Sequence, residues 1–255
     1  MLEQDALNLP NENPAADTSE TPRIQVPWTR SDLIWAVVLG VLAVLMLIAL
    51  MTLALTLYQM VIGISKPAQP LAFFTVLAEL GLLFPVWLFG VYKYRLSWRD
   101  VGLRPFNVSR GLGLGCIFLL FAFAFNFIWS LLLSLFELRA QPDMLPLFGK
   151  GIAGLLLAIL AGGVVAPIAE EIFFRGYLFA GLYKLLGLRR AAVLSAALFA
   201  LAHILPTSWP PIFVLGLLFA LLYEQTGSIW PGVIVHAAMN TLAFLFAYLS
   251  QWISI

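Results

Sequence analysis

Glu170 and Glu171 are adjacent, Arg175 follows four residues after Glu171, and all three fall in an otherwise apolar stretch of membrane-spanning length. A charge at bilayer depth costs upwards of ~2.5 kcal/mol, so three in one segment call for a chemical reason. The two histidines of this 255-residue chain, His203 and His236, lie in later apolar segments. Asn240 stands four residues after His236, and Phe199 four before His203. Carboxylates and imidazoles are the side chains that serve as general acids and bases near neutral pH. The pattern points to chemistry carried out inside a membrane.

On a helix, Glu171 and Arg175 share a face and pair, with the acid on the preferred N-terminal side. Pairing offsets part of the cost of both buried charges. Glu170 is turned by about 100° from Glu171 and faces a different neighbour. The two acids therefore divide their work: Glu171 with Arg175 orients the helix, and Glu170 is the working carboxylate. Glu79, a lone acid in the second apolar run, reads as a protonated or snorkelling group, or as one lining a route for substrate.

The elements that must position these groups follow from composition. The chain is 62% hydrophobic and 11% charged, with mean hydropathy +0.97. Soluble domains carry roughly 25% charged residues, so the expected fold is an all-α, polytopic transmembrane bundle. Apolar runs near the ~20 residues needed to cross a bilayer occur at 33–64, 70–92, 111–136, 151–183, 191–205, 211–223 and 229–253. The fifth and sixth are short, so about seven spans are expected, in a range of six to eight. Ser31 or Asp32 is the expected N-cap of the first.

Residues 1–31 differ in kind, being acidic and poor in large apolar groups, and read as a disordered N-terminal tail. Residues 32–150 hold the N-terminal spans, and residues 151–250 hold the charged motifs. The net charge of +1 offers no basic face for nucleic acid. Cys116, the single cysteine, reads as a small hydrophobe. With the N-terminus cytoplasmic, ten Lys and Arg residues fall on inner segments and three on outer ones. The positive-inside rule then places the C-terminus outside.

Three motifs stand in order: Glu170-Glu171-Ile-Phe-Phe-Arg175, Phe199-Ala-Leu-Ala-His203 and His236-Ala-Ala-Met-Asn240. Together with the approach Glu224-Gln-Thr-Gly-Ser-Ile-Trp-Pro-Gly, they resemble the CAAX protease and bacteriocin-processing family of intramembrane proteases. The resemblance covers roughly residues 150–250. It implies a membrane endopeptidase, in a prokaryotic plasma membrane, acting on a membrane-associated peptide or protein. It further implies that Glu170 with His203 deprotonates water, and that His236 and Asn240 donate to the oxyanion. Arg175 would lock Glu171, and Phe199 would wall the pocket.

Two alternatives stay open. Family members are also described as metalloproteases, and Glu170, His203 and His236 with a water would form a zinc site. No H-E-x-x-H motif is present, and Asn240 is a poor zinc ligand but a good oxyanion donor, so a scheme without a cofactor is favoured. The other alternative is a non-catalytic scaffold or bacteriocin self-immunity protein of the same fold.

Depth poses a problem. Glu170 lies roughly 21 Å before Lys184, and His203 roughly 20 Å past Arg190, at ~1.5 Å per residue. These two come level. His236 is only roughly 10 Å into its helix and sits too shallow, unless the connector 225–230 dips into the membrane under a protein shield.

Overall fold

Alternating apolar residues just before the first long helix set the first contact of the fold. In the computed structural model, which describes residues 24–62, 68–139, 143–203 and 205–253, residues 24–29 run extended. Ile24, Val26 and Trp28 point inward and are buried, while Gln25, Pro27 and Thr29 are exposed. This is the two-residue period of extended chain. Trp28 stacks on Tyr177 at 4.8 Å and its indole N–H donates to the Tyr177 carbonyl at 3.2 Å. Composition averaged over the tail hides this short period, so the expected disorder is corrected for residues 24–29. Residues 1–23 of the expected tail lie outside the described residues.

The first helix, α1 (Arg30–Ile62), begins one residue after Thr29. Thr29 Oγ1 accepts from the Asp32 N–H at 3.3 Å, and Asp32 Oδ2 accepts from the Thr29 N–H at 2.9 Å. This is a capping box, so Thr29 is the cap and Asp32 its third-position partner, in place of the expected Ser31 or Asp32 cap.

Among the described residues the structure is 83% helical. After α1 come α2 (Ala68–Gly81), prolonged by Leu83–Val86 and a π-helical Trp87–Tyr92, then α3 (Val108–Ser134) and α4 (Gly151–Leu186). α5 (Leu188–Leu201), α6 (Trp209–Thr226) and α7 (Trp230–Ile253) complete the order. Among the described residues five helices are long and apolar enough to cross a membrane: α1, α3, α4, α6 with its lead-in from Pro206, and α7. This is an integral membrane protein. The second helix is a shorter apolar segment. α5, with 14 residues, is about 21 Å long and stops short of a bilayer's ~30 Å core.

α4 carries the carboxylates, and its irregularities have a local cause. Pro167 supplies no N–H and crowds the carbonyl four residues back. The helix widens just before it into a π-helical stretch, Ile159–Val165. In that register the Gly162 carbonyl would look to residue 167 for a donor and finds proline. Asn240 Nδ2 of α7 donates to it instead, at 2.8 Å. A second π stretch, Ile172–Phe179, follows the carboxylates. Such stretches concentrate at functional sites.

α5 and α6 form an antiparallel pair packed against α4. Gly216 makes it tight: a Cβ there would lie 2.8 Å from Cα of Ala196. Small residues let membrane helices approach in this way. Basic residues tie several helix ends together. Lys93 pairs with Asp32 at 2.6 Å, Lys184 reaches the Pro27 carbonyl, Arg110 bonds Gln225, and Arg104 bonds the Gly227 carbonyl.

The α6–α7 connector packs inside the protein. Gly227 closes α6 at φ +66°, a left-handed conformation that favours glycine. Ser228 and Ile229 are buried; Ser228 Oγ donates to the Arg104 carbonyl at 2.6 Å and the Ile229 N–H to the Gly102 carbonyl at 3.0 Å. Gly176 of α4 faces both Val101 and Ile229. The connector therefore lies level with Gly176, ten residues or about 15 Å from the end of α4. Protein shields its irregular backbone.

Candidate functional site

α4 presents Glu170, Glu171 and Arg175 toward α7 and the α5–α6 pair. Arg175 and Glu171 are fully buried, and Nη1 donates to Oε1 at 2.8 Å. Arg175 Nη2 reaches the Gly216 carbonyl at 3.3 Å. The guanidinium lies over Phe199 at 4.2 Å and over Phe219 at 5.0 Å. Arginine's planar, weakly hydrated cation suits this setting between rings better than an ammonium would.

His236 sits between the two adjacent acids. Its Nε2 is 3.6 Å from Glu170 Oε2, and its Nδ1 is 3.4 Å from Glu171 Oε1. Neither approach is a hydrogen bond, and Glu170 Oε2 and His236 Nδ1 are both buried without a hydrogen-bond partner. Phe219 stacks on the imidazole at 5.1 Å, and Phe199 meets it edge-on at 5.9 Å. Gly232, one turn before His236, leaves room for Glu171: a Cβ there would be 3.1 Å from Oε2.

His203 stands on the other side of Phe199, with ring centroids 5.1 Å apart. α5 ends at Leu201, so His203 lies in the turn beyond the helix, where its N–H bonds the Ala200 carbonyl at 3.0 Å. Its Nδ1 is 2.9 Å from the Phe199 carbonyl. A carbonyl only accepts, so Nδ1 carries a proton in that contact and Nε2 is the nitrogen left for other chemistry. Trp209 Nε1 donates to the His203 carbonyl at 2.6 Å and holds the turn.

The structure thus brings Glu170, Glu171, Arg175, Phe199 and His236 into one cluster, with His203 at its edge across Phe199. Asn240 is one turn along α7 from His236, and one of its two amide hydrogens is engaged by Gly162. Among the described residues no three His, Cys, Asp or Glu side chains are grouped as metal ligands. Glu170, His203 and His236 as placed do not form a coordination set. Phe219 and Gly216 were not singled out by sequence, Phe219 being one of 20 phenylalanines; Gly232 closes the approach segment quoted above, with no role assigned to it there.

Residues 152–242 match the family model described as type II CAAX prenyl endopeptidase Rce1-like. The matched region holds every motif residue named above. That region is similar to this family. Over 89 residues the chain is 33% identical to the Bacillus subtilis (strain 168) protein named "Putative membrane peptidase YdiL", an alignment covering 35% of this chain and 36% of that protein. The chain thus matches about a third of the length of this curated relative. No solved structure matches the chain at a significant level. The Rce1-like region begins with α4 and ends within α7, so its helices are those that build the cluster.

Proposed function

We propose that this protein is an intramembrane endopeptidase that hydrolyses a peptide bond of a membrane-associated protein or peptide with a glutamate-activated water. The observation that carries the reading is Glu170 Oε2: a buried carboxylate oxygen without a hydrogen-bond partner, 3.6 Å from an imidazole, in a segment of the Rce1-like family.

Glu170 takes a proton from the water, aided by the Nε2 of His203, as the water oxygen bonds to the scissile carbonyl carbon. The carbonyl π pair moves to oxygen, and His236 and the second amide hydrogen of Asn240 donate to that oxyanion. General-base catalysis supplies about 10²–10⁴-fold, and each oxyanion donor about 10²–10³-fold. Glu171 and Arg175 hold α4 in register with α6 and α7, and Phe199 keeps the two imidazoles apart. No step is assigned to zinc or another cofactor, because the residues that would ligate one are not grouped. The N-terminus is assigned to the cytoplasm of a prokaryotic cell, on the ten-to-three distribution of basic residues.

The test compares membrane peptides and new N-termini, by mass spectrometry, in cells making wild type or Glu170→Gln at equal membrane levels. Uncleaved peptides should accumulate with the variant. Identical profiles would sink the protease reading and favour a non-catalytic scaffold or immunity role.

A further inference from the structure

Glu79 is the one acid of α2, and it sits opposite the carboxylates of α4. Two contacts set the register of these helices. Val76 packs on the cluster of Leu155, Ala158 and Ala161, whereas Gly90 lies against the ring of Tyr177. The two helices therefore run parallel, and Glu79, between Val76 and Gly90, falls between Ala161 and Tyr177 of α4. Leu82, three residues on, shares the neighbourhood of Gly40 with Phe173, which is three residues past Glu170. α2 packs directly on the Ala166–Glu171 segment, and the charges of Glu79 and Glu170 act on each other. Like Glu170, Glu79 has a buried Oε2 without a hydrogen-bond partner. The helix breaks here, too: the Leu82 N–H bonds the Glu79 carbonyl at 3.1 Å, and α2 resumes at Leu83.

Two interacting carboxyls in a low-dielectric site resist being ionised together. Glu170 has basic side chains near it, with His236 Nε2 at 3.6 Å and Arg175 in electrostatic range. Glu79 has no such partner among the described residues. The side with the basic groups favours the ionised carboxylate, and on geometry that side is Glu170's.

We propose that Glu79 is a third carboxyl of the site and supplies the proton taken by the leaving nitrogen. The proposal rests on the reading of Glu170 as the base. Water's oxygen bonds to the carbonyl carbon while one of its protons passes to Glu170. As the tetrahedral intermediate collapses, the carbonyl re-forms, the C–N bond breaks with its electron pair going to nitrogen, and nitrogen takes the Glu79 proton. The products at that point are a carboxylic acid, a neutral amine, ionised Glu79 and protonated Glu170. Transfer of the proton from Glu170 to Glu79 restores the starting pair. Nothing is oxidised or reduced, and no other reactant is consumed.

The probe is the set of membrane peptides that accumulate with Glu170→Gln relative to wild type. Glu79→Gln keeps the shape and hydrogen-bonding capacity but holds no acidic proton, so cleavage of that set should fall at least ~10-fold, by analogy with other proton donors. Glu79→Asp keeps the acid and should retain more cleavage than Glu79→Gln. A residue needed only for packing gives the opposite order. Wild-type cleavage by Glu79→Gln, or more cleavage with Gln than with Asp, overturns the proposal while leaving the role of Glu170 intact. Loss of the difference between wild type and Glu170→Gln overturns both. A measurement independent of variants is infrared spectroscopy of the wild-type chain in lipid at neutral pH. A protonated-carboxyl stretch is expected, and its absence overturns the proposal.

Discussion

Glu171 Oε1 and Arg175 Nη1 lie 2.8 Å apart with both side chains fully buried, and this contact organises the cluster. Breaking one side of such a pair leaves an uncompensated charge, at a cost of about 3–5 kcal/mol. Arg175→Ala should therefore lower the unfolding temperature of the detergent-solubilised protein strongly. Arg175→Lys should lower it less, because it keeps the charge but loses the fork to Gly216 and the stacking on Phe199 and Phe219. Equal unfolding temperatures for wild type and both variants would contradict the buried pairing.

Gly232→Ala tests the position of Glu171 without deleting it. The added Cβ would sit 3.1 Å from Oε2, so the carboxylate must shift by a few tenths of an ångström. Overpacking costs about 1–3 kcal/mol, and the low end is expected for a neighbour at the tip of a side chain. Cleavage, read by the appearance of new N-termini, should fall while the protein stays folded. Full activity would show that the place of Glu171 beside His236 is not critical.

Asn240 carries two loads, and substitution should separate them. Asn240→Ala leaves the half-buried Gly162 carbonyl without its donor, at about 1 kcal/mol, and also removes the proposed oxyanion donor. Asn240→Gln keeps the amide on a longer arm and should recover part of the thermal stability without recovering cleavage. Recovery of both together would assign Asn240 a purely structural role.

Outside the spans, Asp100 accepts from the hydroxyl and N–H of Ser97 at 2.7 and 2.8 Å, which holds its carboxyl below the usual carboxylate range. A depressed folded-state value stabilises the fold above the unfolded pKa of about 3.9, and that contribution is lost as pH falls through the folded value. Ser97→Ala should weaken the dependence of the unfolding temperature on acid pH. The effect is small because the group is exposed. An acid branch identical to wild type would show that the turn does not contribute.

Much of the candidate site was legible from spacing. The i,i+4 relation of Glu171 and Arg175 predicts their pairing whatever the surroundings, because helical geometry is local. The adjacency of Glu170 and Glu171 predicts two facings for the same reason. His203 was less legible: its spacing from Phe199 suggested a helical face, but α5 ends at Leu201 and the ring turns back to the Phe199 carbonyl. Trp28 was read into a disordered tail because an average over about thirty residues conceals three inward side chains.

The sequence by itself determined the fold class, the membrane setting and the motif residues, since hydropathy and helical period are properties of neighbours along the chain. Tertiary structure alone decided that His236 lies between both glutamates, that Asn240 satisfies Gly162, and that the connector after α6 is sunk to the level of Gly176. It also packed the helix that carries Glu79 on the Ala166–Glu171 segment. These relations join residues far apart in sequence, and they depend on how closely helices approach, how far each has slid along its neighbour, and which backbone groups proline leaves unpaired.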